Sequence, residues 1–334
     1  MPAVELPALD GRDPLGFLAT LGLLHLLSAE LDGQAELSFS DFTGRAVLHS
    51  PLISIEEITA VLVKIVDRAG DDTAIVGVDD RFPLRRPDQS AARAAKEAGG
   101  EKDPMRVPRD QYPVLAAKVA ELGEEAGRWL THLVTDLAVD GKGQAALTPY
   151  CAPAGKQSFR SFFATPLQEV RKNASGYLRE ALTGWRRIDN FTGEYLDYRV
   201  IRDAADHPLG KSTESGVPGA TWLATQSLLL FRLTGDGNRV AATLWHRHGR
   251  RQVMIWPLWS QPLNVSAVMT LLEHPALAPD PEPPLALSKH PLQALGVFAV
   301  AATERRPLRE TKSAGVLLPI PITWRQRTEV TSSS

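Results

Sequence analysis

Nineteen consecutive residues, Gly184 to Arg202, read GWRRIDNFTGEYLDYRVIR and gather the side chains that do chemistry: four arginines, three carboxylates and four aromatics. Two kinds of chemistry can use them. Carboxylates such as Asp189, Glu194 and Asp197 can act as general acids or bases, or hold divalent ions for hydrolysis. Arginines beside a tryptophan, here Arg186 and Arg187 after Trp185, can grip phosphate while the ring stacks on a base. The charges nearly balance, so mutual ion pairing competes with both uses. The stretch reads as an ordered polar joint between two halves of the chain. Trp185 and Ile188 pin it, Tyr195 and Tyr198 act as amphipathic hinges, and Arg186 and Arg187 remain available to phosphate.

Other constellations point mostly to phosphate contact. Four basic clusters qualify: Arg81, Arg85 and Arg86; Lys156 and Arg160; Arg186 and Arg187; and Arg247, Arg250 and Arg251. The last is the sharpest, because a β-ribbon with an arginine turn can enter a groove or lie along a phosphate backbone. His246 and His248 would share one strand face and could chelate an ion, but no third ligand is nearby and three arginines oppose a cation. A nuclease would need clustered acids. Asp79, Asp80, Asp189, Glu194, Asp197, Asp203 and Asp206 are the candidates, and none falls in a D-x-[DE]-x-K pattern. There is no P-loop, no dinucleotide fingerprint between strand and helix, and no G-x-S-x-G elbow. No catalytic residue, metal ligand or cofactor is assigned.

The elements that must position these groups belong to a chain of 334 residues, 43% hydrophobic and 23% charged, with a formal net charge of −2. That composition excludes a bulk polycation, so nucleic-acid contact must come from local patches. Cys151 is the only cysteine, which excludes an intramolecular disulfide and a cysteine-based zinc site and suits a reducing cytoplasm. Asp13 before Pro14 is a helix start, and the apolar run Leu15–Leu27 is too short for a bilayer. It reads as a core helix, not an export signal or membrane span.

Periodicity predicts an α+β fold of mixed helices and short antiparallel hairpins in two subdomains. Residues 1–80 form an N-terminal α+β unit with a hairpin around SDFTG, a helix capped by Ser54, and a strand at TAIVGV. Residues 81–110 form a charged, proline- and glycine-rich surface loop with a short helix around Ala91–Ala98. Residues 111–184 are mainly helical, with Trp129, Leu130, Leu133, Val134 and Leu137 on one apolar face, and AALTPYCAP forms a strand. Residues 185–325 form a C-terminal α+β region. It holds a buried helix after Pro218-Gly219, a hairpin turning at His248-Gly249-Arg250, a helix over 291–303, and a strand at GVLLPIPITW. Residues 326–334 form a disordered tail.

Three stretches carry a family resemblance: LPALDGRDPLGFLATLGLLHLL, the segment from KQSFRSFFATPLQEV through RDAAD, and GVPGATWLATQSLLLFRLTGDGNRVAATLWHRHGRRQVMIWPLW. They resemble CRISPR-associated proteins of subtype I-G, formerly I-U, over about residues 6 to 275. The resemblance implies a subunit of an RNA-guided interference complex, with guide RNA or target DNA, other effector subunits and a helicase-nuclease as partners. Helicase motifs and a histidine-aspartate nuclease doublet are absent from the chain, and no family site residue carries over by motif. The expected role is a non-catalytic, nucleic-acid-contacting subunit in the cytoplasm, with no membrane partner. The competing readings are a metal-dependent hydrolase built from Asp189, Glu194, Asp197 and His246, and a structural subunit held by apolar surface such as VLLPIPITW.

Overall fold

Asp13 accepts hydrogen bonds from the backbone N–H groups of Leu15 and Gly16, and with Pro14 at the first helical position it starts α1 (Pro14–Glu30). This architecture comes from a computed structural model that describes residues 1–85, 103–151, 158–200, 214–306 and 315–325. Helix α1 is buried nearly all round from Pro14 to Leu24. β1 (Ala3–Asp10), β2 (Glu36–Phe39) and β3 (Arg45–His49) form an antiparallel sheet in the order β1-β3-β2. Sequence patterning missed β1 because Pro7 interrupts it. The strand lies on the sheet edge and its register slips between Leu6 and Asp10, which is where a proline is tolerated.

Ser54 caps α2 (Ile55–Val66) as expected. The strand expected at TAIVGV does not form. Its residues make turns, with Gly77 at φ +81°, while Ala74 and Ile75 are buried and Thr73 ties Gly70 to Asp80. Phe82, Leu84 and Met105 are buried, so the flanks of the expected surface loop are anchored in the core. The short helix expected around Ala91–Ala98 lies outside the described residues, as does the 326–334 tail.

Helices α3 (Tyr112–Ala120) and α4 (Glu124–Leu133) follow. The apolar face expected through Leu137 is helical only to Leu133, because β4 (Val134–Val139) turns extended and pairs with β5 (Ala145–Leu147). Leu137 accordingly faces outward, 49% exposed, instead of sharing the apolar face of Trp129 and Leu130. α5 (Phe159–Arg171) starts with a Ser158/Ser161 capping box, and Asn173 caps α6 (Ala174–Thr183). The short strands β6 (Ile188–Asp189) and β7 (Ser215–Gly216) pair, and every residue of α7 (Pro218–Gln226) is buried. Gly22 of α1 lets that helix touch the α7 backbone directly, since a Cβ there would lie 1.8 Å from the Leu223 carbonyl oxygen.

The C-terminal sheet has six antiparallel strands. These are β8 (Leu233–Gly235), β9 (Val240–Ala242), β10 (Trp245–His248), β11 (Arg251–Trp259), β13 (Val297–Arg306) and β14 (Val316–Ile320), in the order β14-β13-β11-β10-β9-β8. Between β11 and β13 come α8 (Val265–Leu272), β12 (Ala286–Ser288) and α9 (Lys289–Ala294), and β12 pairs in parallel with β15 (Thr323–Arg325). The helix expected over 291–303 is a correction. Gly296 at φ +78° ends α9, and the next residues pair with β11 on one side and β14 on the other. An alanine-rich run has little periodicity to separate helix from strand, and the two neighbouring ladders decide it.

The regions expected for 1–80 and 185–325 share one apolar core, which runs from Leu6 to Leu317. Leu37 and Leu263 exchange backbone hydrogen bonds of 2.8 and 2.9 Å. Trp256 donates its indole N–H to the Gly11 carbonyl at 2.7 Å, and Trp259 to that of Leu37 at 2.8 Å. Trp256 also stacks on Phe17 at 5.4 Å. Trp256→Phe keeps a ring but orphans the buried Gly11 carbonyl, so urea denaturation should show a loss of about 1–3 kcal/mol. Among the described residues no helix is long and apolar enough to cross a membrane.

Candidate nucleic-acid interface

The hairpin of β10 and β11 is closed by two residues, because His248 pairs with Arg251. Gly249 sits at φ +60°, which suits the first position of a type II′ turn and leaves Arg250 at the apex. Arg250 is exposed, and its side chain has no hydrogen bond or ion pair among the described residues. Arg247 is also exposed and, among the described residues, donates only to the Gly249 carbonyl, at 3.0 Å. The hairpin tip therefore carries two cations without carboxylate partners. Arg251, the third arginine expected there, instead bonds Glu304 at 3.2 Å, and Arg306 bonds the same carboxylate at 2.8 Å.

A cleft of about 490 Å³ opens beside this tip, between the six-stranded sheet and the β4–β5 hairpin. Arg106, Arg251, Arg305, Trp245 and Gln252 line it, with Val139, Leu147 and Val240 among its apolar walls. The strand register explains the grouping. Arg247 pairs with Gln252, and Arg247 lies two residues from Trp245, so the three share a sheet face. Arg305 gives its donors to backbone carbonyls, Pro149 at 2.9 Å, Gly315 at 2.9 Å and Tyr150 at 2.5 Å, and burial lowers its pKa to about 10. The Arg106 side chain has no hydrogen bond or ion pair among the described residues. Asp140, also on the cleft, accepts from the Lys142 and Gln144 amides of its own turn, at 2.8 and 3.0 Å.

The remaining described basic candidates are paired, several of them at the surface. Arg160 donates to the carbonyls of Asp80 at 2.8 Å, Pro83 at 3.1 Å and Asp72, strapping the 72–83 turns to α5. Arg85 pairs with Asp72, and Arg81 with Asp79 at 2.9 Å. Arg186 bonds Glu180 at 2.7 Å and lies over the Tyr177 ring. Arg86 and Lys156 lie outside the described residues.

Within the Gly184–Arg202 stretch one ion pair is internal, Arg187 with Asp197, while Arg186 and Arg199 pair with Glu180 and Asp13 outside it. Arg187 pairs with Asp197 at 2.5 Å and also donates to the Ser215 carbonyl at 3.1 Å, so it is not free for phosphate. Arg199 donates to Asp13 at 2.9 Å and to the Tyr198 hydroxyl at 3.1 Å. Burial, with Asp197 adding to it and Arg199 opposing, raises the Asp13 pKa to about 6. Glu194 is 3% exposed, its Oε2 has no hydrogen-bond partner among the described residues, and burial raises its pKa to about 8. Its backbone is left-handed at φ +52°, beside Tyr195 at +58° and Asn190 at +61°, a strained turn held by its surroundings.

No protein-family model matches the chain, and a search of curated proteins finds no match either.

The carboxylates proposed for hydrolysis do not converge. Asp197 is locked to Arg187, Glu194 is buried, and Asp189 accepts from Ser215 at 2.9 Å. Asp80 accepts from Thr73, while Asp203 and Asp206 lie outside the described residues. His246 and His248 do share a strand face, and burial lowers the His246 pKa to about 4. Among the described residues no three His, Cys, Asp or Glu side chains gather closely enough to hold a metal. Sequence reading missed Arg106 and Arg305. Arg305 follows an apolar run assigned to a helix, and its place beside the hairpin exists only through the β11–β13 ladder.

Proposed function

We propose that the chain is a non-catalytic, nucleic-acid-contacting subunit of a type I CRISPR RNA-guided interference complex, working in the cytoplasm. Its ligand is guide RNA or target DNA, and its partners are the other effector subunits and a helicase-nuclease. The observation that supports this most is the hairpin tip, where Arg247 and Arg250 stand exposed without carboxylate partners among the described residues, while most other candidate arginines are paired. Exposed guanidinium groups on a ribbon can track a phosphate backbone, while base pairing reads the sequence. A net charge of −2 is compatible with a subunit whose neighbours complete the channel.

Binding to short DNA and RNA should weaken steeply as salt rises. The double variant Arg247→Ala/Arg250→Ala should bind more weakly and with a shallower salt dependence. For each phosphate that the variant no longer neutralises, the slope should fall by about 0.7 on a single strand, or about 0.9 on duplex DNA. Fluorescence anisotropy at two or more salt concentrations reads both quantities. Binding that ignores salt would overturn phosphate contact. Magnesium- or manganese-dependent cleavage that Glu194→Gln abolishes would overturn the non-catalytic assignment.

A further inference from the structure

We infer that the cleft beside the hairpin tip receives the phosphorylated terminal nucleotide of a single strand, an inference that rests on the nucleic-acid reading above. The cleft combines three features that such a unit needs. It is an open cleft whose volume of about 490 Å³ falls in the range of small-molecule sites. It offers cationic groups for a terminal phosphate. Arg106 has no partner among the described residues, and Arg305 gives its donors to carbonyls, so neither charge is neutralised by a carboxylate. Among the described residues the two acids on the cleft are already engaged, Glu304 by Arg251 and Arg306 and Asp140 by its own turn.

The third feature is an unsatisfied donor. Trp245 lines the cleft, is only 9% exposed, and its indole N–H has no acceptor among the described residues. A buried N–H without a partner is costly, and an acceptor that reaches it through a small opening of the cleft wall would recover that cost. Trp245 is fixed edge-on to Tyr150 at 5.9 Å, and the Tyr150 hydroxyl donates to the Thr243 carbonyl at 2.7 Å. The donor is thus held in place before any ligand arrives. A base has hydrogen-bond acceptors on its edge and an apolar face that suits Val139 and Val240. Arg247 lies on the same sheet face as Trp245, so a backbone held at the tip leads toward the cleft.

The test compares one short oligonucleotide carrying a 5′-phosphate, a 3′-phosphate or hydroxyls at both ends, by anisotropy with the full chain, and free AMP and UMP as competitors. One phosphorylated end should bind about tenfold or more tighter than the hydroxyl-ended strand, the size of a charge-assisted hydrogen bond. Arg106→Ala should reduce that ratio to about one, and Trp245→Phe, which keeps a ring and removes the N–H, should reduce it severalfold. Arg250→Ala should weaken all three strands by similar factors and leave the ratio intact. Equal binding of all three ends overturns the cleft assignment while salt-dependent strand binding still stands. Persistence of the ratio in both cleft variants also overturns it. Tight binding of free mononucleotide with no strand binding makes the cleft a metabolite site and overturns both readings, as does binding of neither.

Discussion

Gly22→Ala should cost this protein about 2 kcal/mol or more and shift its urea midpoint down accordingly. The direction opposes intrinsic helix propensity, which favours alanine over glycine by about 1 kcal/mol in a helix interior. Magnitude decides between them. The added Cβ would stand 1.8 Å from the Leu223 carbonyl oxygen, 2.7 Å from its carbon and 3.2 Å from the Ser227 nitrogen. These are backbone atoms, so no rotamer change relieves the overlap and the two helices must separate. Overpacking a tight core costs about 1–3 kcal/mol for ordinary side-chain clashes, and a backbone clash lies at or above the top of that range. Gly127→Ala is the matched control. Gly127 lies inside α4 with nothing within 4 Å of its added Cβ, so there propensity acts alone and the variant should gain up to about 1 kcal/mol. Equal effects at the two positions would refute the close approach of α1 and α7.

The second large effect concerns Glu194 and pH. Its carboxyl goes from 4.5 when unfolded to about 8 when folded, raised by burial. A raised carboxyl pKa means that folding takes up a proton. The associated stability is fully present below pH 4.5 and is lost as pH rises through 8. At 1.36 kcal/mol per unit, the full swing is at most about 5 kcal/mol. Asp13, raised from 3.8 to about 6, acts in the same direction over a lower window. Wild type should therefore be markedly more stable at pH 5 than at pH 8. Glu194→Gln, neutral at both, should keep the Asp13 decline but lose most of the decline between pH 6 and 8. Denaturation curves at pH 5, 6.5 and 8 measure this, and parallel pH profiles for the two proteins would show that Glu194 is not buried as described.

Some of this was open to reading in the residues themselves. Asp13-Pro14 before an all-apolar run announces α1 and its burial. Alternation around Gly249 announces the hairpin, and the charge balance of Gly184–Arg202 announces the Arg187–Asp197 pair. What stayed hidden was non-local. The Arg199–Asp13 bond joins residues 186 positions apart. Pro7 masked β1, and the run from Val297 carried no periodicity until β11 and β14 lay beside it. The tip arginines were legible because a turn is local. The cleft was not, because Arg106, Trp245 and Arg305 meet only through sheet order and the packing of the β4–β5 hairpin.

The dependence of α1 on α7 and Trp256 also sets an order of events during synthesis. A ribosome makes α1 almost two hundred residues before α7, its closest cover, which at ordinary elongation rates is a delay of about 10–40 s. Throughout that interval a nearly all-apolar helix exists without the surface that buries it. The contacts that close the core are among the most distant in the chain, which slows folding by raising the entropy of the loop to be closed. An apolar helix that waits this long for its cover is the kind of surface that chaperones shield.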